Sequence, residues 1–354
     1  MSGGVDSSVA ALIMKKKGYE VIGAFMKNWS DTKDDLGECT WRGERKIAIK
    51  IASMLKIPLI TLDFEKEYKS LVVKKMFKDY GRGITQNPDI ECNQKIKFPL
   101  LIKEAKKLRA EFIVTGHYAR IKKKKNRYEL LRGKDESKDQ SYFIYRIKQS
   151  ELEHTLFPIG DYTKKKIREI AEKNNFPNYN KKSTVGICFI GKVDLKKFLQ
   201  KEIKAKKGKI FDPKGNIIGE HDGIYYYTIG QRLGPRYGFE INRQKSKEGN
   251  IQRWYVARKN IKKNTIIAAP EGHSLNFRKE IFIKNVFWIN KEPKTKRVYS
   301  RIRQVGELLP SKLTKEKNRF KITLKKAITG VSEGQAIVLY KGKKVLGGGE
   351  IIFK

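Results

Sequence analysis

The chain has 354 residues, with 79 Lys and Arg against 38 Asp and Glu, a net charge of +41. No apolar run reaches the roughly 20 residues that span a bilayer, no signal-peptide pattern opens the chain, and three cysteines are too few to staple a secreted fold. What remains is a soluble, cytoplasmic protein of two or three domains at roughly 150 residues each. Its charge calls for a polyanion, which in that compartment means nucleic acid, although lysine-rich codon usage accounts for part of the excess.

Along the first half, helices and strands alternate. Residues 9–17 form a short amphipathic helix closed by Gly18. Residues 20–26 (EVIGAFM) read as a buried strand, and 42–56 as a helix with Ile47, Ala48, Ile51 and Leu55 on one face. A strand follows at 59–64, a helix at 99–109 and a strand at 111–115. This alternation predicts an α/β fold with a parallel sheet, whose ligands sit at the carboxyl ends of the strands. Residues 118–145 read as a hairpin around a KKKKN tip and then a polar loop, and 163–173 as a helix. From about Gly208 the glycines multiply and the pattern turns to short alternating strands. Residues 208–269 and 277–354 read as two small β domains, with 243–250 as a mobile loop. The four histidines are scattered and no CxxC pair exists, so no structural metal site is expected.

The most specific string is the first. Met1, Ser2, Gly3, Gly4, Val5, Asp6, Ser7 and Ser8 place two glycines and small hydroxyls ahead of a helix. Glycines let backbone N–H groups approach an anion, the helix N-terminus adds partial positive charge, and Ser7 and Ser8 offer hydroxyl donors. It is not a Walker A loop, because GK[ST] is missing. An ordinary N-cap would explain Asp6 or Ser7 but not the whole string. Cys92 (in PDIEC) and Cys188 (in VGIC) are, on spacing alone, more often small hydrophobes than nucleophiles.

SGGVDSS resembles the loop of the ATP-pyrophosphatase superfamily, whose members cleave ATP between the α and β phosphates. FMKNW (25–29), NPDIECNQKIKF (87–98), TGHYAR (115–120), LLRGKDESKDQSYFIY (130–145), STVGICFIG (183–191), YTIGQR (227–232) and LGGGEI (346–351) follow in order. Together they resemble the tRNA-specific 2-thiouridylases over the full chain. The resemblance implies a Rossmann-like ATP-pyrophosphatase domain over 1–203, a small β-rich central domain over 204–271 and a C-terminal tRNA-binding β-barrel over 272–354. The implied reaction is ATP-dependent 2-thiolation of the wobble uridine of tRNA, by a monomer fed by a persulfide-carrying donor protein. ATP, with magnesium to offset its charge, would meet Met1 to Ser7, Met26 and Gly116.

The resemblance also assigns the catalytic residues. Cys188 carries the persulfide, Cys92 attacks it and leaves a transient disulfide, and Asp89 is the general acid/base, with Cys39 in no role. Expected tRNA contacts are Asn87, Pro88, Asp89, His117, Lys138, Asp139, Gln140, Arg301, Ile302 and Gln335. Ile302 stands where the family usually has an aromatic, which weakens base stacking there. Family members carry an apolar strand before the loop. This sequence begins at the loop, so the sheet is expected to be short by that strand. The competing readings are a 4-thiouridine or lysidine synthetase, and a tRNA-binding protein whose catalysis has lapsed.

Overall fold

The computed structural model describes residues 1–32, 37, 39–182, 188, 190, 194–234, 252–304 and 306–353. The loop expected at 243–250, and most of STVGICFIG apart from Cys188 and Ile190, lie outside the described residues.

The opening helix runs Val5–Lys16, four residues earlier than its apolar pattern predicts, because it starts straight from the glycines with Gly4 as N-cap. It buries Val5, Val9, Ala10, Leu12 and Met14, and shares its cluster with Ile167 and Ala171 of the helix Lys164–Lys173. Strand Gly23–Lys27 pairs in parallel with Leu59–Asp63, and Ile113–Val114 pairs in parallel with Thr155–Leu156. The parallel sheet therefore stands as two separate pairs. The Met1 amine donates to the Ala24 carbonyl. The first strand begins at Gly23, not Glu20, and Ile22 before it is exposed.

Asn87-Pro88-Asp89 reads from the sequence as a Pro-containing turn before Cys92, and here the fold departs most from expectation. Asn-Pro-Asp is not a free turn: Asn87 caps the helix Pro88–Cys92, its Oδ1 accepting from the N–H groups of Asp89 (3.1 Å) and Ile90 (3.4 Å), with Pro88 in the first turn. The helix continues through a π-turn, Asn93–Lys97, into Phe98–Lys107. Pro99 explains the π-turn. It has no N–H to donate and its ring clashes with the carbonyl four residues back, so the chain widens there.

Past residue 207 the chain is mostly strand. Ile217–His221, Gly208–Phe211, Thr265–Pro270, Trp254–Asn260 and Arg232–Leu233 form one five-stranded sheet, in that order. Phe277–Trp288, Arg319–Thr329, Leu309–Glu316, Arg297–Arg301, Ala336–Lys341 and Lys344–Ile352 form a barrel. It closes because the first of these strands also pairs with the last. The hairpin Ala119–Lys124/Arg127–Arg132 does not stay with the first domain's strands. It joins the barrel edge through Leu131 opposite Lys344.

Two of the cores cross domain lines. One joins Trp29, Tyr68, Met76 and Cys92 to Ile210, Val256 and Ile266 of the five-stranded sheet. Another joins Ile90, Phe98, Tyr142 and Tyr145 to Val338, Tyr340 and Val345 of the barrel. The helix Pro88–Cys92 thus contributes to both, with Ile90 in one and Cys92 in the other. Burying apolar surface in both directions fixes its position, at roughly 25 cal/mol per Å² removed from water. No helix among the described residues is long and apolar enough to cross a membrane.

Candidate active site

The glycine loop is held from behind. Gly3 has φ +74°, and a Cβ there would lie 2.5 Å from the Glu44 carbonyl oxygen and 2.6 Å from its Oε2. Lys181 Nζ fixes Glu44 with two contacts of 2.6 Å. Asn178, buried, donates to Gly3 O (2.9 Å) and Ser8 Oγ (3.1 Å). The hydroxyls of Ser7 and Ser8, expected to face phosphate, here both donate to Gly4 O at 3.0 Å. Asp6 is gripped by Lys164 Nζ (2.6 and 2.8 Å) and by the Tyr118 hydroxyl (2.8 Å).

Gly116 presses on the same loop, since a Cβ on it would stand 2.7 Å from Asp6 C and Ser7 N. The strand end that carries it therefore sets the loop's position. Met26 is half-buried at the end of its strand. No group of three His, Cys, Asp or Glu side chains able to hold a metal occurs among the described residues. Asp6 is already neutralised by Lys164.

The second centre brings Cys92 and Cys188 together across 96 residues of sequence. None of the three cysteines forms a disulfide; Cys92 is buried and Cys188 half-buried. The two thiols are hydrogen-bonded, and their acidities move apart. Burial, then the bond to Cys188, pushes Cys92 well above the ordinary thiol range. The bond from Cys92, aided by the Lys97 ammonium and opposed by burial, draws Cys188 below it. Cys188 is accordingly the more acidic of the two, and Cys92 the thiol that donates to it. Lys97 Nζ lies 4.0 Å from Cys188 Sγ and 3.5 Å from His117 Nε2.

Asp89 Oδ1 accepts from the Cys188 N–H at 2.8 Å. Burial raises its carboxyl above the usual range, against the pull of that bond and of Lys97. The Tyr68 hydroxyl donates to Cys188 O (2.5 Å) and Thr32 Oγ1 to Ile190 O (2.9 Å), which ties the Cys188 segment to the helix Glu65–Tyr68 and to the loop after the strand Gly23–Lys27. Cys39 is the N-cap residue of the helix Thr40–Met54.

The residues expected to touch tRNA divide in two. Lys138 is exposed. Gln140 Oε1 accepts from the Tyr118 N–H (3.0 Å), and Gln335 Nε2 donates to Thr85 O (2.9 Å), two residues before the Asn87 cap. Asn87, Pro88 and Asp89 form the start of the catalytic helix. By contrast, the side chains of Asp139, Arg301 and Ile302 are buried, and a phosphate or base would have to displace their partners. Asp139 Oδ2 accepts from Arg132 Nε (3.0 Å) and Arg301 NH1 (2.8 Å), and its Oδ1 from the N–H groups of Gly133 and Ser141 (3.1 Å each). His117 too is buried, against Phe98 and Phe157.

Asp139 thus ties the hairpin to the barrel strand that carries Arg301. Removing Asp139 leaves the buried Arg301 guanidinium uncompensated and Arg132 with only the exposed Glu136 (3.2 Å), at about 3–5 kcal/mol. Asp139→Ala should therefore lower the melting temperature markedly in a thermal scan, whereas Lys138→Ala should leave it unchanged. Equal melting of the two variants would contradict this role.

Nothing in the sequence singles out Lys97, Tyr68 or Lys164 as parts of this site. Lys97 lies within NQKIKF, but in ordinary helical geometry it faces away from Cys92. Lys164 is one of three consecutive lysines, and nothing in that run singles it out.

The comparisons with known proteins agree along the chain. A family described as "tRNA methyl transferase HUP domain" matches residues 1–192. A "tRNA methyl transferase PRC-barrel domain" matches 196–270, and an "Aminomethyltransferase beta-barrel domain" matches 278–351. A tRNA-specific 2-thiouridylase MnmA of Burkholderia ambifaria is 40% identical, covering 100% of this chain and 91% of that relative. One of Nitrosomonas europaea is 40% identical, over 99% and 96%. One of Coxiella burnetii is 41% identical, over 99% and 96%. A phosphate-type loop, a thiol pair of split acidity and full-length likeness at this level all point one way: the chain belongs to the tRNA-specific 2-thiouridylase family.

Proposed function

We propose that the chain converts the wobble uridine of tRNA, position 34, to 2-thiouridine, with ATP as the activating substrate. The observation that carries this is the hydrogen-bonded Cys92–Cys188 pair, its two acidities pushed apart, beside Asp89.

Uracil O2 is a poor leaving group. It attacks the α phosphate of ATP, N3 loses its proton and pyrophosphate departs into the glycine loop. Cys188, the more acidic thiol, is suited to take a sulfur atom from a persulfide-carrying donor protein. The terminal sulfur of its persulfide attacks C2, and AMP leaves with O2. Cys92 then attacks the Cys188 Sγ. The C2–S–S bond breaks on the Cys188 side, and a Cys92–Cys188 disulfide remains. The Cys92 proton passes to Asp89, made more basic by burial, and from there to N3 of the product. A two-electron reductant restores both thiols, which requires a reducing compartment such as the cytoplasm.

The division of labour follows the three parts, 1–203 for chemistry and 204–271 and 272–354 for holding tRNA. Most of the basic side chains contact phosphates without reading sequence. A base in a single-stranded anticodon loop is splayed out at low cost, and one monomer serves one tRNA. The test is mass spectrometry of nucleosides from unmodified tRNA incubated with the chain, ATP and a persulfide donor. The expected product is 2-thiouridine at position 34. Finding 4-thiouridine or lysidine instead, or tRNA bound without any product, would overturn the reading.

A further inference from the structure

Lys97 lies five residues after Cys92, at the end of the turn Asn93–Lys97. In an ordinary α-helix, residues five apart point about 140° away from each other, at 3.6 residues per turn. A turn closed by i→i+5 bonds brings them to nearly the same face. The π-turn enforced by Pro99 therefore aims the Lys97 ammonium at the sulfur centre.

We propose that Lys97 is a catalytic residue of the sulfur transfer: its ammonium holds the Cys188 sulfur as an anion, first as the thiolate that accepts a sulfur atom and then as the persulfide, with His117 positioning it. The geometry carries this. Lys97 Nζ is 4.0 Å from Cys188 Sγ and 3.5 Å from His117 Nε2. His117 Nδ1 lies 2.8 Å from Thr115 Oγ1. With Nδ1–H donated to that hydroxyl, the Nε2 lone pair faces the ammonium. Burial, then the neighbouring Lys97 charge, keeps the imidazole far below its usual range and so neutral. A neutral acceptor orients the ammonium without competing for its charge.

The titratable groups around the centre are Cys92 and Asp89 from the same helix, His117 after its strand, Tyr68 from the helix opposite, and Cys188 itself. Burial works against the ammonium, while Cys188, Cys92 and Asp89 favour it, and the balance keeps Lys97 charged. The Tyr68 hydroxyl, pushed up by burial, stays a donor. Lys97 is thus the positive charge set against two sulfurs and a carboxylate, and a persulfide formed on Cys188 would extend the anion within its reach.

This inference rests on reading Cys188 as the sulfur carrier, and the experiment separates the two. Alkylation of Cys188 by iodoacetamide is followed across pH by peptide-resolved mass spectrometry, in the intact chain. Only the thiolate reacts, so below the midpoint each unit of upward shift slows the reaction tenfold. The native protein should titrate below the ordinary thiol value of about 8.5. Lys97→Met should move the midpoint up by about one unit or more, Lys97→Arg should keep it, and His117→Gln should move it by less than Lys97→Met. Lys97→Gln replaces Lys97→Met if that variant does not fold. An unchanged midpoint in the neutral variant, or a midpoint raised as far in Lys97→Arg, would overturn the role of Lys97. Turnover retained in Cys188→Ser would instead remove the carrier reading, whatever the alkylation profile.

Discussion

Cys188→Ser should abolish 2-thiouridine formation, and Cys92→Ser should stop it one step later. A serine hydroxyl cannot carry a sulfur atom, so the first variant has nothing to transfer. The second can still be loaded and can still form the C2–S–S–Cys188 bond. It has no thiol to break that bond and should accumulate tRNA covalently attached to the protein. A denaturing gel run without reductant would show the adduct, and dithiothreitol should release thiolated tRNA from it. Neither substitution touches the basic surface, so tRNA affinity should be unchanged in both. Steady turnover by either variant would sink the assignment of the two sulfurs. The difference between them follows from their acidities, with Cys188 drawn down by its neighbours and Cys92 pushed up by burial.

The second large effect is expected at the glycine loop. Gly3→Ala places a methyl group against the Glu44 backbone, at a φ of +74° that disfavours any side chain. Left-handed strain alone costs roughly 1–2 kcal/mol. The clash adds to it, because Lys181 holds Glu44 and the contact atom is backbone. The loop must shift, and a misplacement of about 1 Å at a reacting centre can cost about 100-fold in rate. tRNA-dependent release of pyrophosphate from ATP should fall by about that factor. Gly18→Ala is the control. Its φ is +85°, but open space surrounds it, so it should lose a little stability and no ATP chemistry. Equal loss in both would mean that Gly3 matters only as a flexible residue.

Much of this centre is legible in the sequence, because its signals are local. SGGVDSS starts the first helix, and the helix and strand order of the first half is close to that observed. What the sequence does not display is set by distant partners or altered periodicity. The Asp139 pairing depends on Arg301, 162 residues away, so Asp139 reads as part of a solvated charged loop when its own side chain is buried. The hairpin 119–132 finds its neighbour in Lys344–Ile352, a pairing that no local pattern announces. Lys97 is concealed because the expected helical period is broken by Pro99 just beyond it. Asn-Pro-Asp is good turn chemistry and also a good helix start, and only packing on two cores decides for the helix.

The central claim is that the sulfur entering the base passes through Cys188 and leaves a Cys92–Cys188 disulfide. It is tested most directly in a single turnover. Chain loaded with heavy-isotope persulfide on Cys188 is mixed with ATP and unmodified tRNA, without free sulfide or reductant, and both products are read by mass spectrometry. The account predicts one labelled 2-thiouridine for each disulfide formed and each persulfide lost. Unlabelled thiouridine, or labelled thiouridine with both cysteines left reduced, would contradict it.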